Sequence, residues 1–315
     1  MVTAEFRPSA VTLQEFNDAP EPARQPGRLR PQSPWAYLIA PLILLGAISV
    51  YPLIELVRLA FSDVGPTNLI GTWQWVGFAN LAAALRDPTL WQAARVTLVL
   101  TAILLVSDLL IGFLVASVLV SRSRTNTALM ALMTFVWALP PLVSGSVWKF
   151  LLQANGPVNG LLGIVGVKPV NWLATPNLAL LSVGLVTSWA ALPFATLVLR
   201  GGMLSVPRDT LEAAEVDGAR YWQIQLRVVL PQMKATVSIL AVLAVLYSFQ
   251  SFNFIFALTS GGPGTATNNI PFLAYQQAFA NFQLSSGGAI ALLAMLVIVA
   301  LAVPYALIAR REEHQ

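Results

Sequence analysis

Side chains able to do acid–base or binding chemistry are scarce in this sequence. The densest group lies in EAAEVDGARYWQIQLRVVLP, from Glu212 to Pro231. There Glu212, Glu215 and Asp217 stand against Arg220 and Arg227, a set suited to binding something. Bond-making chemistry has little to work with. The chain has no cysteine and its one histidine is His314, the penultimate residue. Disulfides, thiolate chemistry, Cys-based metal sites and most histidine catalysis are thereby excluded. Lys149, Lys168 and Lys234 follow Trp148, Val167 and Met233, so no Gly-Lys-Ser/Thr phosphate loop can be written. Neither His-Glu-x-x-His nor Gly-x-Ser-x-Gly occurs, and no nucleophile has a candidate base. The chain is not expected to be an enzyme; if ATP drives it, another subunit hydrolyses the nucleotide.

The elements around the polar stretch can be read from its flanks. Ser205 can cap a helix, Pro207 fits a first turn, and Asp209 and Glu212 suit the positive N-terminal end. Small Ala213 and Ala214 follow, then Asp217-Gly218 as a turn signal and a second helical pattern closed by Pro231. The stretch predicts helix, sharp turn, helix, displayed between two apolar runs.

Such runs dominate the chain. Hydrophobic residues make up 57% and charged residues 10%, against roughly 25% charged in soluble domains. Six windows reach the length needed to cross a bilayer core of roughly 30 Å, at about 35–60, 96–120, 128–152, 178–199, 235–258 and 287–309. The fold class is an all-α integral membrane protein with six transmembrane helices. Its expected parts are a disordered tail over 1–34, a six-span domain over 35–310 carrying the polar loop at 205–231, and a tail over 311–315. The first segment carries Pro8, Pro20, Pro22, Pro26 and Pro31 and lacks the charge-then-apolar order of a signal peptide. Trp35, Trp148 and Trp172 lie near span ends as interfacial anchors.

The net charge of +4 is no nucleic-acid signal, because the basic residues flank the spans. The tails, the turn 121–127 and the segment 200–234 hold thirteen of the 18 lysines and arginines, whereas 259–286 holds none. The positive-inside rule then puts both termini and the 205–231 loop in the cytoplasm.

Polar residues within the spans are functional suspects, since burial in lipid is costly. Asp108 lies near the middle of the second span. It reads either as a proton relay or substrate contact, or as a hydrogen bond or ion pair to a neighbouring helix. Glu55 and Arg58, three apart, can pair on one helix face. Prolines at 41, 52, 140, 141, 193 and 304 can kink their spans, and the Pro140-Pro141 pair should break or bend the third.

The polar stretch resembles the cytoplasmic EAA loop of permease subunits from binding-protein-dependent ABC importers. Glu212-Ala213-Ala214, Asp217-Gly218-Ala219 and Leu230-Pro231 match that family's pattern at its spacing, after a similar lead-in at Leu204-Ser205-Val206-Pro207. Trp148-Lys149, Gly156-x-x-Asn159, Asn171-Trp172-Leu173, Phe252-Asn253-Phe254-Ile255 and Leu258-Thr259-Ser260-Gly261-Gly262-Pro263 look like the carbohydrate-uptake branch. That last run, with Tyr275 and Phe279 beyond it, looks like the first permease of a heterodimeric pair of the maltose or glycerol-phosphate type. Gln225, Asn253 and Ala235 stand where the family often has Phe, Asp and Pro.

The resemblance implies a multi-pass permease of a prokaryotic plasma (inner) membrane that imports a sugar or related polyol. Its implied partners are a second homologous permease, two cytoplasmic ATPase subunits binding ATP and magnesium, and an extracytoplasmic binding protein. No cofactor is implied on this chain. Glu212, Ala213, Ala214, Asp217, Gly218, Ala219, Leu230 and Pro231 would carry the ATPase coupling. Ser188, Trp189, Phe249 and Asn253 are the candidates for the substrate pathway, because aromatic faces stack on sugar rings and amides or hydroxyls meet their hydroxyls. An ion-gradient-driven secondary transporter is the alternative; it would ordinarily want more intramembrane acids than Asp108.

Overall fold

The computed structural model describes residues 34–121 and 123–312; the tail expected over 1–34 lies outside them but for its last residue, and of the tail expected over 311–315 the first two residues are the end of the last helix. Those residues are helical apart from turns, short loops and one small hairpin, in which Ser62 and Asp63 pair antiparallel with Trp75 and Gln74. Four helices are long and apolar enough to cross a membrane: Pro41–Phe61, Pro88–Leu119, Pro176–Leu204 and Leu284–Val303. Counting each of two sharply bent helix pairs as one span brings the number to 6. The chain divides after Pro52 into two compact units. In the first, residues 34–52 are continuous helix with Ile43, Ile48 and Tyr51 exposed. In the second, Leu98, Leu110, Val118 and Leu185 are likewise exposed along helices. Water would penalise so many uncovered large apolar side chains, whereas lipid does not.

Several elements differ from the sequence expectation, each for a local reason. The second span begins at Pro88 rather than near 96. Asp87 caps it, its carboxylate accepting from the Thr89 N–H at 2.8 Å, and Pro88 supplies a first-turn residue that needs no donor. The third span is two helices, Arg124–Trp137 and Pro141–Leu151, meeting at 97°. Pro140 and Pro141 have no N–H to give the preceding turn and crowd its carbonyls, which accounts for the break. The fifth span, expected whole over 235–258, stops at Phe249 and resumes over Phe252–Leu258. No proline or glycine marks this second break. The Ser251 hydroxyl donates to the Ser248 carbonyl at 2.6 Å and accepts from Asn269 Nδ2 at 3.0 Å. Asn269 also caps the helix Ile270–Tyr275, accepting from the Phe272 N–H. By contrast, Pro41, Pro52 and Pro193 sit inside helices that continue through them.

The second unit is held by three apolar clusters. One joins Ala60, Leu81, Ala84, Leu90 and Ala93 to Leu273, Ala289 and Ile290. A second joins Leu100, Val183 and Val186 to Phe254, Ile255, Leu258 and Phe272. The third joins Phe113, Ala116 and Ala195 to Met203, Ile224, Val229 and Met233, and so ties the polar stretch to spans two and four. Glu55 and Arg58 do form an ion pair, at 2.6 Å, with the Arg58 guanidinium 5.0 Å above the Trp73 ring. Trp148 and Trp172 are half-buried and pack on the second cluster.

The connection between spans three and four is fixed by one side chain. Buried Asn159 donates to the carbonyls of Gln153, Ala154 and Val170, and its Oδ1 accepts from the Val170 N–H and from Trp172 Nε1. Asn159→Leu would leave the Ala154 carbonyl, both Val170 backbone groups and the indole without these partners, while the Gln153 carbonyl keeps the Gly156 N–H, an expected loss of about 2–4 kcal/mol given the usual penalty per buried orphan. The purified protein should then melt several degrees lower and be cut more readily by protease between residues 153 and 172. An unchanged melting temperature and digestion pattern would contradict this role.

Candidate functional site

The polar stretch folds as helix, turn, helix, and its spacing has a plain geometric meaning. Its first helix is Arg208–Val216, entered through Pro207, whose φ of −60° and ψ of 135° make it the N-cap. Ser205, expected as the cap, ends the preceding span instead, its hydroxyl donating to the Gly202 carbonyl. Asp217 ends the helix and Gly218 follows at φ +77°, the left-handed region that glycine enters without penalty. The Gly218 N–H reaches the Glu215 carbonyl at 2.9 Å and the Ala219 N–H reaches the Ala214 carbonyl at 3.0 Å. This is the paired closure of a Schellman motif, in which the apolar residues on either side of the glycine touch. Here those residues are Ala214 and Ala219, and both pack on the third cluster.

The motif therefore sorts the stretch into two faces. Ala214, Ala219 and Leu230 turn inward, while Glu212, Ala213, Val216, Asp217, Gly218 and Pro231 are exposed. The two adjacent alanines do different jobs. Ala214 lets the helix lie close on the bundle, and Ala213 leaves the outer ridge low. Among the described residues the Glu212 carboxylate makes no hydrogen bond or ion pair, so its acceptor capacity is open.

The second helix starts after Arg220, whose N–H donates to the Gln223 side chain at 2.7 Å. It passes through a π turn at Gln225–Val229 and runs on through Leu230–Gln232. Pro231 lies inside this helix rather than closing it; the wide turn just ahead accommodates a residue with no N–H to donate. The chain then bends by 78° into Lys234–Phe249. Gly202 permits that corner, since a Cβ there would lie 2.9 Å from the Met233 methyl and 3.0 Å from Thr236.

Two side chains that the sequence does not single out bond to the end of span two, Tyr221 from this unit and Arg200 from span four. The Tyr221 hydroxyl donates to the Ser117 carbonyl at 2.7 Å, and Arg200 Nε donates to the Leu119 carbonyl at 2.8 Å. Both acceptors lie in the last turn of the second span, where helical carbonyls lack internal partners and a cation is favoured. The signal was an aromatic hydroxyl and a guanidinium at loop–span borders. Their target could not be read from spacing.

A second candidate site lies where three helices depart from regularity. A cleft of about 300 Å³ is lined by Asp108, Trp137, Phe194, Tyr247 and Gln250 together with Ala191 and several leucines. Asp108 sits in a π turn, Ser107–Ile111; Trp137 is the last residue before the break in span three, and Gln250 occupies the break in span five. Trp137 and Phe194 stack with centroids 5.5 Å apart. None of the four expected pathway residues lines this cleft. Ser188 is buried with its hydroxyl unpartnered, Trp189 packs edge-on to Trp148 at 5.4 Å, Phe249 is buried, and Asn253 is half-buried. All four nevertheless lie within three residues of cleft-lining Ala191 or Gln250.

A family model described as binding-protein-dependent transport system inner membrane component matches residues 108–313. The trehalose/maltose transport system permease protein MalF of Thermococcus litoralis is 30% identical over 238 residues, covering 75% of this chain and 80% of that protein. The multiple sugar-binding transport system permease protein MsmF of Streptococcus mutans is 29% identical over 265 residues, covering 84% and 90%. Among solved structures, a bacterial alginate ABC transporter in complex with alginate pentasaccharide-bound periplasmic protein contains a chain of similar fold. The TM-score is 0.75 at 19% identity, covering 88% of this chain and 93% of that one.

The two bonds to the end of span two can be removed together. Tyr221→Phe with Arg200→Met should destabilise the purified protein by about 1–3 kcal/mol, the usual effect of orphaning shielded carbonyls, read as a melting temperature several degrees lower. A double variant melting within a degree of the parent would show that these bonds do not hold the unit and span four to span two.

Proposed function

The chain belongs to the family of binding-protein-dependent transport system inner membrane components, and from that premise we propose that it is a permease subunit of an ATP-driven carbohydrate importer. A second, homologous permease completes the pathway, and an extracytoplasmic binding protein delivers the sugar or related polyol. Two cytoplasmic ATPase subunits bind ATP and magnesium and dock on the ridge from Glu212 to Gly218. In this reading the six-span domain runs over 35–310 in a prokaryotic plasma membrane with both termini cytoplasmic, as the distribution of arginine and lysine favours. The sugar-transport names of the relatives support the substrate class, and the alginate transporter of similar fold is in complex with a periplasmic protein of the kind proposed. The ion-gradient alternative draws no support from these relatives.

The observation that carries the coupling role is the union of an exposed ridge with a rigid mount. Glu212, Ala213, Val216, Asp217 and Gly218 face outward on a helix whose opposite side is packed into the third cluster. The bond from Tyr221 links that unit to the end of span two, and the bond from Arg200 links span four to the same turn. Movement imposed on the ridge thus reaches spans two and four as displacement of a body rather than as bending of a loop. Nucleotide state acts through a difference in docking energy between ATP-bound and ATP-free subunits, which is all that a partner can contribute to a conformational equilibrium. Leu230 and Pro231 set the geometry of the second helix behind the ridge. Ser188, Trp189, Phe249 and Asn253 flank the substrate pathway beside the cleft.

Uptake by Glu212→Ala and Gly218→Val proteins tests the coupling role. The first variant lacks the open carboxylate; the second puts a β-branched residue at φ +77°, a strain of at least about 1 kcal/mol. Sugar uptake by the membrane-assembled complex should fall at least about tenfold in each, the factor that a 1.4 kcal/mol loss of docking energy gives. Undiminished uptake in both would contradict it.

A further inference from the structure

The feature left unexplained by coupling is the carboxylate inside the bundle. Asp108 is 3% exposed, Oδ1 is fully shielded, and among the described residues its side chain has no hydrogen-bond partner. A buried acid without partners is expensive in a bilayer and persists where something else meets it. Neither lysine nor arginine lines the cleft beside it. What the cleft does offer is two aromatic rings stacked on one another, the Tyr247 ring, and the Gln250 side-chain amide.

We propose that Asp108 is a substrate ligand, and that the cleft selects an uncharged polyhydroxy compound over an acidic one. The inference rests on the importer function above and deepens it. Ring hydroxyls are donors, and a carboxylate accepts two of them at once; Gln250 can both donate and accept at the other end. Trp137, Phe194 and Tyr247 provide flat apolar faces of the kind that cover the C–H side of a sugar ring. A carboxylate, phosphate or sulfonate on the substrate would enter a low-dielectric lining with no cation to offset its charge, and would be repelled by Asp108 whenever that carboxyl is ionised. The π turn at Ser107–Ile111 and the helix breaks beside Trp137 and Gln250 bring these side chains onto one space.

The test uses the whole importer reconstituted in proteoliposomes with its binding protein, and measures uptake of maltose, trehalose, glycerol and glucuronate. The parent complex should take up at least one neutral compound and not glucuronate. Asp108→Ala should raise the uptake KM for that neutral compound at least tenfold while ATP hydrolysis without substrate stays within twofold of the parent. Asp108→Asn keeps the shape and one acceptor oxygen, so it should show a smaller rise and serves if the alanine protein does not assemble. A KM within twofold of the parent in assembled variants would overturn the proposal. Failure of both variants to assemble would overturn it too, since the carboxylate would then be structural. So would a parent complex that prefers glucuronate. A parent complex that takes up none of the four despite coupled ATP hydrolysis would remove the carbohydrate function itself, a different failure.

Discussion

A lipid interior offers a backbone amide or carbonyl nothing to bond to, so every irregularity in a spanning helix must find its partners within the protein. This chain has irregularities at its centre and meets that constraint with side chains. Ser251 and Asn269 occupy the break in span five, and Asn269 also caps the helix that follows. Tyr221 and Arg200 take the last-turn carbonyls of span two. Asn159 does the same work for the connection between spans three and four, with every hydrogen-bonding position of its amide in use. Against that background Asp108, like Ser188, Gln225 and Asn268, keeps a buried oxygen without a partner among the described residues, and of these four it is the one that lines the cleft.

The same bonds decide which parts can move as units. The stretch from Arg208 to Gln232 is fastened at its glycine turn, along its inner face and through Tyr221, so it behaves as a mounted piece rather than a tether. The cleft lies between helices already broken or widened next to it, where a modest shift of one segment need not disrupt an unbroken run of helical hydrogen bonds. The ridge proposed for coupling and the cleft thus share a route through spans two and four. The constraint that forces bonds at each irregularity also joins the two sites.

Much of this was legible in the residues. Ala214, Gly218 and Ala219 stand at the spacing of a Schellman closure, so helix, turn and helix follow from residue types and spacing alone, as does the break at Pro140-Pro141. Apolar length gave six runs, and among the described residues four helices are long and apolar enough to span, or up to 6 if each bent pair counts as one. What spacing could not disclose were contacts between distant segments. Ser251 breaks its helix with the help of Asn269, Arg200 reaches Leu119, and Tyr221 reaches Ser117, and none of these pairs has a local signature. For the same reason the pathway candidates fell beside the cleft: Phe249 and Asn253 lie one and three residues from Gln250, on other faces of an element whose break the sequence did not announce. Ser205 misled because a serine that can cap one helix also closes the one before it.

The central claim is that the ridge at residues 212–218 contacts an ATP-hydrolysing subunit. The chain has no cysteine, so a single one can be introduced without background, and Val216, at 87% exposed, can be replaced without disturbing the core. Val216→Cys protein in the assembled importer should form a cross-link to the ATPase subunit with a short thiol-directed reagent, in a yield that changes when ATP is bound. A thiol at that position that cross-links to no ATPase subunit, and is instead labelled by a membrane-impermeant maleimide on intact cells, would contradict the account.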